Sequence, residues 1–188
     1  MAKTRPVLTD PAVLDALAHP VRLDVLHYLM SDGPATASAC ARAVGDSPSN
    51  CSYHLRALAR TGLVESAAST DGRERPWQAT ITGFEIEPDA DPGSPAGRGA
   101  AAVRAASLAL DQRRLRDYLT HRDRATAAWR HADLYSTYTL RITPDELRAL
   151  GQELDALIRP LIAAHRAGDD GAELVQLGLH AFPRADWT

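Results

Sequence analysis

Two helix-forming segments separated by about four residues place the tightest constraint on this chain. Thr36 caps a short segment that runs through Val44 and is closed by Gly45. Ser47-Pro48 then opens a second that reaches about Arg60 and is closed by Gly62. A connection from Val44 to Ser47 is so short that the two helices must cross steeply, leaving the second free to project outward. Two earlier segments precede the pair. Asp10-Pro11 starts one carrying Val13, Leu14 and Leu17, and Pro20 starts another carrying Leu23, Val25, Leu26 and Leu29, which Asp32-Gly33-Pro34 ends. After Gly62 the period changes. Leu63 to Ala67 and Pro76 to Thr82 are strand-like, and Asp71-Gly72 between them is a hairpin dipeptide.

At 100° per residue, Cys51, Leu55, Leu58 and Gly62 fall on one arc of the fourth segment, which therefore packs on a core. Ser49, Tyr53, Arg56 and Arg60 take the opposite arc, flanked by Asn50 and Ser52. Hydroxyls, an amide, a phenol and two guanidiniums suit a DNA groove: an Asn can bridge adenine, and an Arg can fork onto guanine or a phosphate. A lone helix with such a face is ordinarily just solvated; the tight turn before it and the hairpin after it favour DNA contact. Thr36 and Ser38 of the preceding helix, and Arg73 and Arg75 of the hairpin, complete the expected contact set. The hairpin arginines could equally pair with Asp71 and Glu74. Trp77 is expected to be a packing residue.

LAHPVRLDVLHYL, the GPATASACARAVG segment, SPSNCSYHLRALARTGLVE and DGRERPWQAT together resemble the winged helix-turn-helix domain of ArsR-type transcriptional regulators over about residues 9–84. The resemblance implies a homodimer that binds a twofold-related operator and usually represses. It makes Thr36 to Val44 the positioning helix and Pro48 to Arg60 the recognition helix, with Ser49, Asn50, Ser52, Tyr53 and Arg56 at contact positions. His54 fills the family's usual histidine position, and a hydrogen-bonded structural role is expected for it. Many such regulators sense metals, and here the sequence departs from them. Cys40 and Cys51 lack CxxC spacing, and His121 and His131 lie ten residues apart without a carboxylate set, so no metal and no cofactor are expected. Cys51 faces inward, where a thiol is usually a small hydrophobe rather than a redox switch.

Residues 85–99 are rich in proline and glycine and read as a linker after a first domain, 1–84. Residues 100–131 contain neither and read as one long helix, with Leu108, Leu115, Tyr118 and Trp129 along a stripe. With Leu14 and Leu17 of the first segment, these are the expected dimer contacts; a helix packed within the chain is the alternative. Residues 132–188 read as β-α-β: Leu134 to Ile142 alternates, Thr143-Pro144-Asp145-Glu146 is a capping box, Leu147 to Leu161 follows helical spacing with Pro160 expected to kink or end it, and Leu174 to Phe182 is again strand-like. This region either extends the dimer or encloses a small-molecule effector, with Tyr135, Tyr138 or His180 as polar handles. The fold class expected is α+β and mainly helical: a winged helix-turn-helix, a long helix and a small β-α-β region.

Net charge is −3 over 188 residues, which at first argues against nucleic acid. The distribution matters more: residues 1–84 balance at zero, 100–131 carry +4, and 132–188 carry −4. No apolar run approaches the ~20 residues of a membrane span, and no apolar stretch follows MAKTRPVLTD to make a secretory signal, so a cytoplasmic setting without membrane partners is expected. GxSxG, HExxH, Walker A and GxGxxG are all missing. Cys51 and His54 lie one helical turn apart, but a cysteine on the packing face is a poor nucleophile, so no enzyme is expected. The expected function is sequence-specific regulation of transcription, as a repressor, on double-stranded DNA and without catalysis; a winged helix that makes only protein contacts is the alternative.

Overall fold

Capping chemistry accounts for most helix starts in the computed structural model, which describes residues 5–68, 75–87, 90–164 and 172–184. Helix α1, Pro11–Leu17, begins where the Asp10 carboxylate accepts from the Ala12 N–H at 2.8 Å. Helix α2, Pro20–Ser31, starts at a proline alone, its preceding His19 making no side-chain cap. The Thr36 hydroxyl accepts from Ala39 N–H to start α3, Ala37–Val44, and Ser47 caps α4, Pro48–Arg60. Two small sheets complete this part. In the first, β1 (Val7–Leu8) runs parallel to β4 (Glu85–Ile86). In the second, β2 (Val64–Ser66) is antiparallel to β3 (Trp77–Ala79), with Val64 opposite Ala79, and Trp77 also bridges Ala35.

By its contacts the chain divides into two units, Met1–Arg113 and Arg114–Thr188. Leu17, Leu23, Leu26, Leu29, Leu55 and Leu58 are wholly buried in the first, and Trp77 packs half-buried against them, as expected. Burying each leucine contributes roughly 1.5–3 kcal/mol, which makes this cluster the principal stabilising term of the unit. Leu14 and Leu17 belong to it, at 1% and 0% exposure. The expectation that they face a partner copy is therefore corrected: their surface is spent inside the chain.

The expected linker is also corrected. Residues 85–86 form β4, and helix α5 starts at Pro95 and runs to His121. Ser94 Oγ accepts from the Gly97 N–H at 2.9 Å, the same Ser-Pro start that opens α4. The glycines of this stretch serve close approach. A Cβ on Gly99 would lie 2.8 Å from Leu14 Cβ, and one on Gly97 would collide with the Asp91 backbone. Val103, Ala106 and Leu110 carry the packed face of α5 onward, and Arg113 pairs with the buried Asp24 of α2.

The single helix expected over 100–131 is interrupted. A 3₁₀ turn, Arg122–Arg124, follows α5, and α6 occupies only Ala127–Ala132. Thr126 explains the break: its hydroxyl accepts from the Trp129 N–H, satisfying a new helix start in competition with continuation. Arg122 and the Tyr118 hydroxyl both donate to Asp133, at 2.7 and 2.8 Å, and close the corner. Helix α7, Pro144–Ala164, begins with the expected capping box, Thr143 N–H donating to Glu146 Oε2 at 2.7 Å and Glu146 N–H to Thr143 Oγ1 at 3.2 Å. It continues past Pro160. The β-α-β expectation fails at its strands: 133–143 and 172–184 carry no strand assignment. Extended segments need a ladder partner to become strands, and the described residues supply none. No described residue from Arg114 onward is buried.

Candidate nucleic-acid interface

Three residues, Gly45, Asp46 and Ser47, join α3 to α4. Gly45 takes φ 71°, a left-handed conformation that a side chain would strain, and its N–H donates to Ala41 C=O to end α3. The chain thereby turns into α4 without an extra residue. Helix α4 then separates its two arcs as the projection requires. Cys51, Leu55 and Leu58 are fully buried, whereas Ser49, Asn50, Arg56 and Arg60 are exposed and Tyr53 is 55% exposed. Ser52 is half-buried at the margin, as are Thr36 and Ser38 on α3; the Thr36 oxygen is already committed to its cap. Arg75 is exposed beside β3. Arg73 lies outside the described residues.

Hydrogen bonds order the exposed start of α4. Asp46 Oδ1 accepts from Ser47 N–H at 2.6 Å, and Asp46 Oδ2 accepts from Asn50 Nδ2 at 2.6 Å. Ser47 Oγ accepts from Asn50 N–H and lies 3.2 Å from Ser49 Oγ. Asp46 was not among the expected contacts, although its spacing four residues before Asn50 was the signal for it. It holds the carboxamide that is the best adenine reader of the face, and it sets a negative charge where a phosphate would approach.

Beneath the exposed arc, His54 is 3% exposed and packs against His19, the two rings tilted by 43° with centroids 4.5 Å apart, while Tyr53 meets it edge-on at 5.4 Å. The hydrogen-bonded role expected of His54 is corrected at Nδ1: that atom, like His19 Nδ1, is buried without a partner among the described residues. Burial first, then the nearby His19 and Arg22, hold the His54 pKa below the usual histidine value, and Asp46 offsets this only in part. His54 is thus a neutral packing ring that seats Tyr53. The thiols are equally interior: burial pushes Cys40 up to about 11 and raises Cys51. Among the described residues no group of three His, Cys, Asp or Glu side chains is placed to hold a metal ion.

Residues 17–67 match the helix-turn-helix domain. The match begins at the end of α1 and extends just past β2, so the helix-turn-helix domain covers α2, α3, α4 and the turn between the last two. Its presence points to DNA-binding regulation of transcription, with α4 as the exposed second helix. Comparison with curated proteins finds no match to the chain. No described helix is long and apolar enough to cross a membrane.

The remaining expected site residues belong to other elements. Leu108, Leu115 and Tyr118 are exposed along α5, and Trp129 is half-buried on α6 rather than on the same helix. Tyr135, Tyr138 and His180 are exposed in segments that are neither helix nor strand, the two tyrosines at 84% and 80%, so the described residues do not enclose an effector chamber around them.

Proposed function

We propose that the protein is a sequence-specific, cytoplasmic DNA-binding repressor of the ArsR type, acting as a homodimer on a twofold-related operator and performing no catalysis. The observation that carries this reading is the division of α4: a sealed apolar arc and a bare arc of Asn50, Tyr53, Arg56 and Arg60. The antiparallel β2–β3 pair that follows α4, with Arg75 exposed beside it, supports reading this hairpin as a wing that meets the DNA backbone. One recognition helix reads only a few base pairs, so useful affinity needs two half-sites and two copies. The exposed leucines of α5 offer a surface for that association.

The test is selection of duplexes from a random pool by the full-length protein, followed by fluorescence polarisation across a salt series. A twofold-related consensus is expected, with affinity falling steeply as salt rises. Arg56→Ala should cost about 1–3 kcal/mol and relax preference at one position of each half-site, whereas Arg75→Ala should weaken all sequences alike. Enrichment of no sequence, together with binding indifferent to salt and to both arginines, would overturn the proposal in favour of a protein-interaction module.

A further inference from the structure

Most of the molecule's exposed large apolar side chains belong to the second unit, and they are not scattered. In 134–142, Leu134, Tyr138, Leu140 and Ile142 share one parity, while Thr137, Thr139 and Arg141 share the other. In 174–182, Val175, Leu177 and Leu179 share a parity with Ala181. Residues 134–142 would thus have one mainly apolar face and, Tyr135 apart, one polar face if they become a strand. Residues 174–182, with Leu174 and Phe182 opposite Val175, Leu177 and Leu179, would be apolar on one face and mixed on the other. Helix α7 lies between them in sequence, with Leu157 and Leu161 exposed on its apolar stripe. Its capping box is fully made, so this part of the chain is locally specified, not a solvated tail.

One copy cannot finish this design. A strand, a helix and a strand in succession return both strands in the same direction, and two strands with one helix make a marginal sheet. Two copies supply four strands and two helices, enough for a two-layer sandwich. Leu134, Tyr138, Leu140 and Ile142, with Val175, Leu177 and Leu179, are exposed in one copy, and a four-stranded sheet covered by both α7 helices would bury them.

We infer that residues 134–142 and 174–182 become strands only against a second copy of this chain, forming one four-stranded sheet across the dimer axis with both α7 helices on its apolar face. A twofold axis in such a sheet pairs a segment with its own copy, antiparallel. That central segment is 134–142, which is rich in Tyr, Thr and Leu. Residues 174–182 contain Gly178, which weakens a strand interior, and run into Pro183, which sheets confine to edges. The order is therefore 174–182, 134–142, then the same two segments of the second copy in reverse. This deepens the two-copy part of the function proposed above and does not depend on DNA.

The test compares full-length wild type with Leu140→Gln and Thr139→Gln, neighbours of opposite parity, by sedimentation equilibrium. Wild type should be a dimer. Leu140→Gln removes an apolar contact from both copies and should raise the dimer dissociation constant about 100-fold or more; Thr139→Gln should leave it within about 3-fold. Hydrogen exchange on wild type gives a readout free of variants: amides of 134–142 should be protected, and should lose protection on dilution below the dissociation constant. A monomeric wild type, equal effects of the two substitutions, or a dimer whose 134–142 amides exchange freely would each overturn the inference. A dimer with the expected parity that selects no DNA would instead sink the regulator reading and leave this one standing.

Discussion

Asp46 shows how one side chain can set both the affinity and the specificity of the α4 face. Its carboxylate occupies one N–H of the Asn50 carboxamide and so fixes the group's orientation. It also places a full negative charge beside the helix start, where a phosphate oxygen would otherwise gain from the helix dipole. Asp46→Ala should raise affinity for random duplex about 3- to 10-fold at low salt, and the gain should fade at high salt because Coulomb terms between exposed charges are screened. Preference at the position read by Asn50 should weaken at the same time. Polarisation with selected and scrambled duplexes at two salt concentrations checks both effects; tighter binding with unchanged base preference would show that Asp46 acts by charge alone.

His54 makes a second residue-scale prediction, with a definite sign. Its folded pKa lies below the ordinary histidine value, chiefly through burial. Above about pH 6.5 the ring is neutral in both folded and unfolded chains, so stability is undiminished there. As pH falls below that value, the unfolded chain takes up a proton that the folded ring refuses, and stability is lost until the folded pKa is passed. Urea titrations of wild type and His54→Gln between pH 7.5 and 5 should therefore show a steeper acid loss in wild type. Parallel slopes would mean that the buried ring does not resist protonation.

At the scale of elements, the boundaries that could be read were those set by local chemistry. Asp10-Pro11, Thr36, Ser47-Pro48 and Thr143-Glu146 each start a helix where the sequence places them. The start of α5 was equally legible: Ser94-Pro95 repeats the signature of Ser47-Pro48, but the surrounding glycines and prolines mask it. What could not be read was the reason for those glycines, because close approach of α5 to α1 is tertiary. The same holds for Leu14 and Leu17, whose stripe fits either a partner or the chain's own core. Gly99→Ala separates propensity from packing. Helix propensity alone predicts a gain of nearly 1 kcal/mol, yet the new methyl would sit 2.8 Å from Leu14 Cβ, an atom fixed to the backbone of α1. We expect a net loss of about 1–2 kcal/mol, read as a fall in the thermal midpoint of the first unit; a rise would show that the α1–α5 contact is loose.

For the whole molecule, the question is how a chain of net charge −3 binds a polyanion. The helix-turn-helix side of the chain is neutral on balance, so affinity must come from where its arginines stand rather than from how many there are. Arg56, Arg60 and Arg75 are exposed in and beside the proposed recognition face, and the two copies proposed on a twofold site would present six such groups. Counterion release would then give a slope of log affinity against log salt of about −5 if all six touch phosphates, and of about −4 if Arg56 reads a base in each half-site. The acidic 132–188 region supplies no further phosphate contacts and should not steepen it. Replacing Arg56 in both copies should flatten the slope by about 2 if each guanidinium touches a phosphate, and leave it nearly unchanged if each forks onto a base while other arginines hold the backbone. Slopes for wild type and Arg56→Ala on the selected duplex therefore assign the role of Arg56. A wild-type slope near zero would remove the electrostatic basis of the interface altogether.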